Sequence, residues 1–253
     1  MTASRSTIAF RAGRRPPAQS GFTLIEVAIV LVIVGLLLGA MLKGQELVRG
    51  AQVKSLMSQQ DGIRVAFLAF ADRFGAPPGD YADASTHLSC RTVCPNGNGN
   101  GRIESAATPA NGSEAREDLL AWAHLSAAGF LTGEYFMTPG AVAPSDSNSP
   151  KNRHGVYLQI AYDANFGLDS GDTPRHNIKT GNQIPVAVLA EVDHKFDDGR
   201  PHGGSFQFSV YTAPGGIAPT GNGGAASCVS GQVLAALWNA TSGLTNCGAA
   251  SLL

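Results

Sequence analysis

A run of 21 residues, Phe22 to Leu42, reads FTLIEVAIVLVIVGLLLGAML and carries a single charge, Glu26. Coiled as a helix it is about 30 Å long, enough to cross a bilayer core. Arg5, Arg11, Arg14 and Arg15 stand in front of it with no acidic residue among them, and Lys43 follows it. The positive-inside rule puts that basic head in the cytoplasm and the remainder of the chain outside. The apolar core is longer than that of a secretory signal, and no A-x-A site follows it. The segment therefore reads as an anchor. The formal net charge of the chain is −1, and without the four leading arginines it is −5. Charge alone gives no case for nucleic-acid binding.

Glu26 is the anomaly in this run. A carboxylate at the centre of a membrane helix costs roughly 2.5–3.5 kcal/mol on insertion scales, and such residues usually have a function and a partner. The residues Gly21-Phe22-Thr23-Leu24-Ile25-Glu26, followed by the unbroken apolar run, resemble the cleavage and methylation motif of type IV prepilins. The resemblance implies cleavage after Gly21, N-methylation of Phe22, and pairing of Glu26 with the N-terminus of a neighbouring subunit. A buried carboxylate facing a buried ammonium avoids a large desolvation cost, and such a pair sets register more than it adds stability.

The helix is expected to run on past the membrane. Over residues 43–74, Leu56, Ile63, Phe67, Phe70 and Phe74 recur at helical spacing, with Lys54, Gln59, Gln60, Arg64 and Asp72 opposite. The stripe is the face expected to pack on the chain's own globular part. Gly35, Gly39, Gly44, Gly50 and Gly62 each lower helix propensity by up to about 1 kcal/mol. They serve either close helix packing or, as in the resembled family, local melting of the helix in a filament. Pro77-Pro78-Gly79-Asp80 is a stop signal, since proline cannot continue a helix. The expected organisation is a leader at 1–21, a transmembrane and filament-core helix at 22–42, its amphipathic continuation at 43–74, and a globular domain outside the cytoplasm at 75–253.

The four cysteines, Cys90, Cys94, Cys228 and Cys247, all lie outside the apolar run. An even count beyond a targeting segment fits disulfides of unspecified connectivity. Four reduced thiols, or a zinc site using Cys90 and Cys94, are the alternatives, although no second close pair completes the zinc ligands. A Cys228–Cys247 bridge resembles the C-terminal disulfide loop of type IV pilins. Asn96, Asn98 and Asn100 alternate with glycine, and Gly101 and Ile103 mimic the first part of an EF-hand loop. Asparagine replaces aspartate throughout and the twelfth position is Ala107, so poor calcium affinity or a plain Asn-Gly turn is expected. Residues 114–136 read as a second helix with Leu119, Leu120, Trp122, Ala123 and Leu125 on one face and Gly129 as its break. His124 on that helix has no nucleophile or acid close in sequence and reads as a packing histidine.

Three segments rich in Val, Ile, Tyr or Phe read as strands: Gly155–Tyr162, Ile184–Val192 and Ser205–Tyr211. Together they imply an α+β fold. The long N-terminal helix would pack on an antiparallel sheet, as in the pilin fold. Asp193, Asp197 and Asp198 lie between the last two strands. They are read either as solvated acids in a hairpin turn or as oxygen ligands for a hard cation such as calcium.

No G-x-S-x-G, H-E-x-x-H or P-loop occurs, so an enzyme is not expected. The leading expectation is a structural subunit of a type IV pilus or type II secretion pseudopilus. The bulky part after Phe74 favours a minor subunit. The resemblance implies as partners a prepilin peptidase that also methylates, other pilin subunits and an inner-membrane assembly platform. The chain would sit in the inner membrane with a periplasmic body before joining a surface filament. A filament-displayed adhesin or other binding module is the alternative.

Overall fold

The computed structural model describes residues 21–91, 94–105, 116–138, 140–168, 172–221, 226–231 and 235–253. The first element is helix α1, Leu24–Phe74, of 51 residues. The chain divides into two compact units, one up to Leu47 and one from Val48 onward.

In the first unit every described residue is exposed, including Leu24, Leu31, Leu36 and Leu42. Its apolar window has a mean hydropathy of 2.8, and by length and composition it can cross a membrane. Gly35, Gly39 and Gly44 stay helical, and a Cβ added to any of them would meet open space.

In the second unit the helix buries Val53, Leu56, Gln60, Ile63, Ala66, Phe67 and Phe70. The anticipated stripe is therefore real, with Phe74 at its margin. Gln60 is the exception to the reading, which placed it on the open side. It lies four residues after Leu56 and three before Ile63, on the same stripe, and Ser251 Oγ donates to its Oε1 at 3.0 Å. The helix ends where expected. Gly75 takes a left-handed φ of 69°, its N–H caps Ala71 O at 2.9 Å, and Pro77 follows.

The rest of this unit holds the short helix α2 (Ala84–His87), helix α3 (Glu117–Ala127) and helix α4 (Val186–Phe196). Its strands are β1 (Gln159–Asp163), β2 (Arg175–Lys179), β3 (Phe206–Phe208), β4 (Val229–Ser230), β5 (Leu237–Trp238) and β6 (Ala249–Leu252). Four strands form an antiparallel sheet in the order β1-β2-β6-β3, and β4 pairs with β5 separately. Two apolar clusters meet the stripe of α1. Ile63, Phe67 and Phe70 join Trp122, Leu125, Ile160 and Ile178, while Val53 and Leu56 join Leu189, Val192, Phe206 and Trp238. Each fully buried large side chain contributes about 1.5–3 kcal/mol of transfer free energy.

Helix α3 is shorter than expected. It stops at Gly129, where φ is 77° and the Gly129 and Phe130 amides return to Ser126 O and Leu125 O, both at 3.0 Å. That is a Schellman closure, which only glycine enters without Cβ strain. Residues 114–115 of the expected helix lie outside the described residues.

The expected strand Ile184–Val192 is overturned, because the segment from Val186 is helix α4. Its β-branched content suggested a strand, but the buried positions Val186, Leu189 and Asp193, with Val188 and Val192, follow helical spacing. Pro185 directly before Val186 suits a helix start. The other two strands are displaced or shortened: Gly155–Tyr162 becomes Gln159–Asp163, and Ser205–Tyr211 shrinks to Phe206–Phe208.

Candidate functional site

Gly21, Phe22 and Thr23 precede the helix, and Phe22 is fully displayed. The Thr23 N–H and Oγ1 donate to Glu26 Oε2 at 2.8 and 2.7 Å, and the Glu26 N–H donates to Thr23 Oγ1 at 3.3 Å. This is a reciprocal capping box, which satisfies otherwise orphaned amides at the helix start. The negative charge also sits at the favourable end of the helix dipole. The single charge of the apolar run is thus hydrogen-bonded within its own chain. The Thr-x-x-Glu spacing carried this signal, but the sequence reading weighed a partner in another subunit and a wet interfacial position, not a bond within the chain.

The second grouping is at the end of α4. Asp193 is wholly buried, Asp197 half-buried and Asp198 exposed, and one carboxylate oxygen from each lies within 4.8 Å of the others. The hairpin-turn setting expected for these acids is replaced by a helix C-terminus and the loop that leaves it. Trp238 Nε1 donates to Asp193 Oδ2 at 2.5 Å, and the Gly199 backbone amide is a second donor to this carboxyl. Burial pushes the Asp193 carboxyl up to about 7, with a further push from Asp198 and Asp197 and against the pull of the Trp238 and Gly199 hydrogen bonds. Asp197 Oδ2 accepts the amides of Ser205 and Phe206, the latter at 2.9 Å, and Asp198 Oδ1 accepts that of Arg200 at 2.8 Å. Gly203 and Gly204 let the backbone come this close. A Cβ would lie 2.3 Å from Asp198 Oδ2 at Gly203 and 1.9 Å from Asp197 Oδ2 at Gly204.

In the asparagine-glycine loop the side chains bond to backbone amides. Asn96 Oδ1 accepts the Ser85 amide, Asn98 Oδ1 that of Asn100, and Asn100 Oδ1 that of Arg102, at 2.8–3.0 Å. The side-chain oxygens thus serve the turn itself. Ala107 lies outside the described residues. The loop wraps two buried acids that sequence reasoning did not select. Asp80 accepts the amides of Asn100 and Gly101, and Glu117 those of Asn98 and Glu104. Burial raises Asp80, and it raises Glu117 to about 7. Asp80 was legible only as part of a turn, because its burial depends on α3 and the loop closing over it.

The cysteines form two disulfides, Cys90–Cys94 and Cys228–Cys247, which removes the zinc and free-thiol alternatives. His124 is a packing residue, as expected. Its Nδ1 accepts the Gly79 amide at 3.0 Å, its Nε2 lies 3.0 Å from Pro95 O, and its ring stacks near Phe70. Burial lowers it to about 4, so it is held neutral. Neither its neighbours nor its charge suit it to proton transfer near neutral pH.

The comparisons with known proteins fall on the N-terminal segment. Residues 16–42 match the family model of the prokaryotic N-terminal methylation motif. No curated protein and no solved structure matches the chain. The motif points to a structural, non-enzymatic protein, and together with the long apolar helix it fits membrane anchoring followed by filament entry. The Gly21–Glu26 segment and the apolar helix behind it are thus the N-terminal methylation motif that marks type IV pilins and pseudopilins.

Proposed function

We propose that the chain is a filament subunit of the type IV pilus or type II secretion pseudopilus kind, in a minor rather than a densely repeated role. In this reading prepilin peptidase cuts the Gly21–Phe22 bond and methylates the new amine of Phe22. The subunit waits in the inner membrane with its body in the periplasm, then enters the filament through an assembly platform. The observation that carries the reading is one ionisable side chain, Glu26, at the start of an otherwise apolar and wholly exposed run of helix up to Leu42, inside the matched motif. Such a helix face needs either lipid or other apolar helices around it.

The capping box supports a two-stage role for Glu26. Thr23 occupies Oε2, and Oε1 takes no hydrogen bond from a described residue. A lone subunit in lipid keeps the carboxylate satisfied in cis, and a neighbour's Phe22 ammonium can be added at Oε1. The test is intact mass from cells with and without the peptidase. Loss of residues 1–21 with one added methyl, only when the peptidase is present, supports the reading. An unprocessed chain in both strains overturns it.

A further inference from the structure

We infer that the cavity between the start of α3, the start of β1 and the loop at 211–216 is a binding site for a neutral polyhydroxylated ring the size of one hexose. The inference does not depend on the filament reading. The cavity has a volume of about 310 Å³. Small-molecule pockets begin at about 300 Å³, so the space suits one ring rather than a chain of them. Its polar wall is fixed by the body's own bonds. Arg116 Nε and Nη2 donate to Asp118 Oδ1 and Oδ2 at 2.9 and 2.5 Å, and Arg116 Nη1 donates to Val142 O at 2.8 Å. Gln159 Nε2 donates to Asp118 Oδ2 at 2.8 Å. Other polar groups on this wall keep unused capacity. Gln159 is 8% exposed, yet its Oε1 takes no hydrogen bond from a described residue. The Tyr211 hydroxyl likewise bonds to no described residue. Arg116 keeps N–H groups on Nη1 and Nη2 to spare. Polar groups that face a cavity without a protein partner are served by water, and a ligand hydroxyl that reproduces those bonds can replace it.

The balance of charge decides the kind of ligand. Arg116 and Asp118 are the charged residues of the lining, and they cancel in direct contact. An ion brought into the cavity would give up its water and meet no counter-charge. Burial raises the Tyr211 phenol, with a push from Asp118 against the pull of Arg116, so it is a neutral hydroxyl that can donate and accept. The spare groups are thus donors on Arg116, an acceptor on Gln159 and a group of both kinds on Tyr211. Hydroxyls match such a mixture, because each can donate and accept. Leu119, Leu158, Pro144 and Pro214 line the same cavity and offer an apolar surface. A small molecule with hydroxyls around its edge and C–H groups on its faces satisfies both walls at once. The Tyr211 ring adds contact area at little entropic cost, since it has few rotatable bonds.

The test uses the full chain in micelles of a detergent without a sugar headgroup. Glucose, galactose, mannose and N-acetylglucosamine are titrated in turn and followed by saturation-transfer NMR. At least one should bind saturably, with a dissociation constant on the order of 10⁻³ M, as a few hydrogen bonds to a small ring allow. Tyr211→Phe removes a hydroxyl that bonds to no described residue, so the fold should survive, and binding should weaken about three- to tenfold, the worth of one neutral hydrogen bond. Ala213→Trp fills the cavity from its half-buried rim and should abolish binding, with the urea midpoint of the body showing that the fold is kept. Absence of saturable binding by all four sugars overturns the site. Binding that is unchanged in either variant places the ring elsewhere and also overturns it. Displacement of the sugar by inorganic phosphate or acetate at equal concentration overturns the choice of a neutral ligand.

Discussion

One helix lives under two regimes. Up to Leu47, α1 shows its leucines, isoleucines and valines to the outside on every side, and beyond Val48 it hides Val53, Leu56, Ile63, Phe67 and Phe70 along one stripe. The backbone geometry is common to both halves, so the difference lies in what each half uses as solvent. The first half is apolar all round as far as Leu42 and requires an apolar surrounding there, while the second supplies one face to a core and leaves Lys54, Ser58 and Asp61 to water. Stability of the body should accordingly be sensitive to one half of the helix and indifferent to the other.

The sharpest way to break the comparison is Phe70→Ala. Phe70 has zero exposure, so its truncation should cost about 3–5 kcal/mol in urea unfolding of the full chain in micelles. Leu37→Ala, at an exposed position, should leave that transition within about 0.5 kcal/mol. Equal effects from both would mean that the two halves are not differently supported.

Next in size comes the Cys228–Cys247 bridge, which closes a sequence separation of 19. Replacing both cysteines by serine should cost about 3 kcal/mol in the chain-entropy model, read as a lower urea midpoint. The shorter Cys90–Cys94 loop, with a separation of 4, should cost less when treated alike.

A comparable effect is expected from pH. His124 is held neutral to about 4, whereas an unfolded histidine protonates near 6.5. Between those values the unfolded state binds the proton and the folded state does not, so the contribution of His124 is lost as pH falls from 6.5 toward 4, against the opposite contribution of Glu117 and Asp193, whose carboxyls raised to about 7 take up protons first in the folded state. The full loss from this residue is about 3 kcal/mol at 1.36 kcal/mol per pH unit. His124→Gln should remove that contribution from the stability-pH curve, and an unchanged slope would reject the assignment.

The smallest effect belongs to the N-terminal half. Thr23→Ala removes the capping hydroxyl and should cost about 1 kcal/mol of local helix stability. It should appear as faster amide exchange in the first turn after Leu24, with the urea midpoint of the body unmoved. Movement of both together would mean that the two halves unfold as one.

Much of this division was readable in the chain. The apolar run, the stripe and the proline stop are local periodic signals, and helix α1 follows them. Helix α4 was missed because valine and isoleucine content was weighed above the spacing of the buried residues. Strand β2, Arg175–Lys179, looks too polar for a core. Lys179 is buried nonetheless, because Asp163 holds its ammonium at 2.7 Å from both carboxylate oxygens and Asn177 Oδ1 adds a third contact. That compensation comes from β1 and cannot be seen in the strand itself. At the N-terminus the methylation motif that spans Gly21 to Glu26 was legible from a compact pattern. The buried setting of Asp193 is made in part by Trp238, 45 residues away, which no local signal shows.

The place of β6 in the sheet has a kinetic consequence. It lies between β2 and β3, so Ala249–Leu252 fills a gap whose two walls are made much earlier in the chain. Until residue 252 has been synthesised and has arrived there, β2 and β3 each keep a bare edge able to pair with another molecule. Closing the gap requires contacts of long sequence separation, which makes folding slow. The body therefore passes through a window in which its strand edges are open to misassembly, and that window shuts only when its last strand slides home.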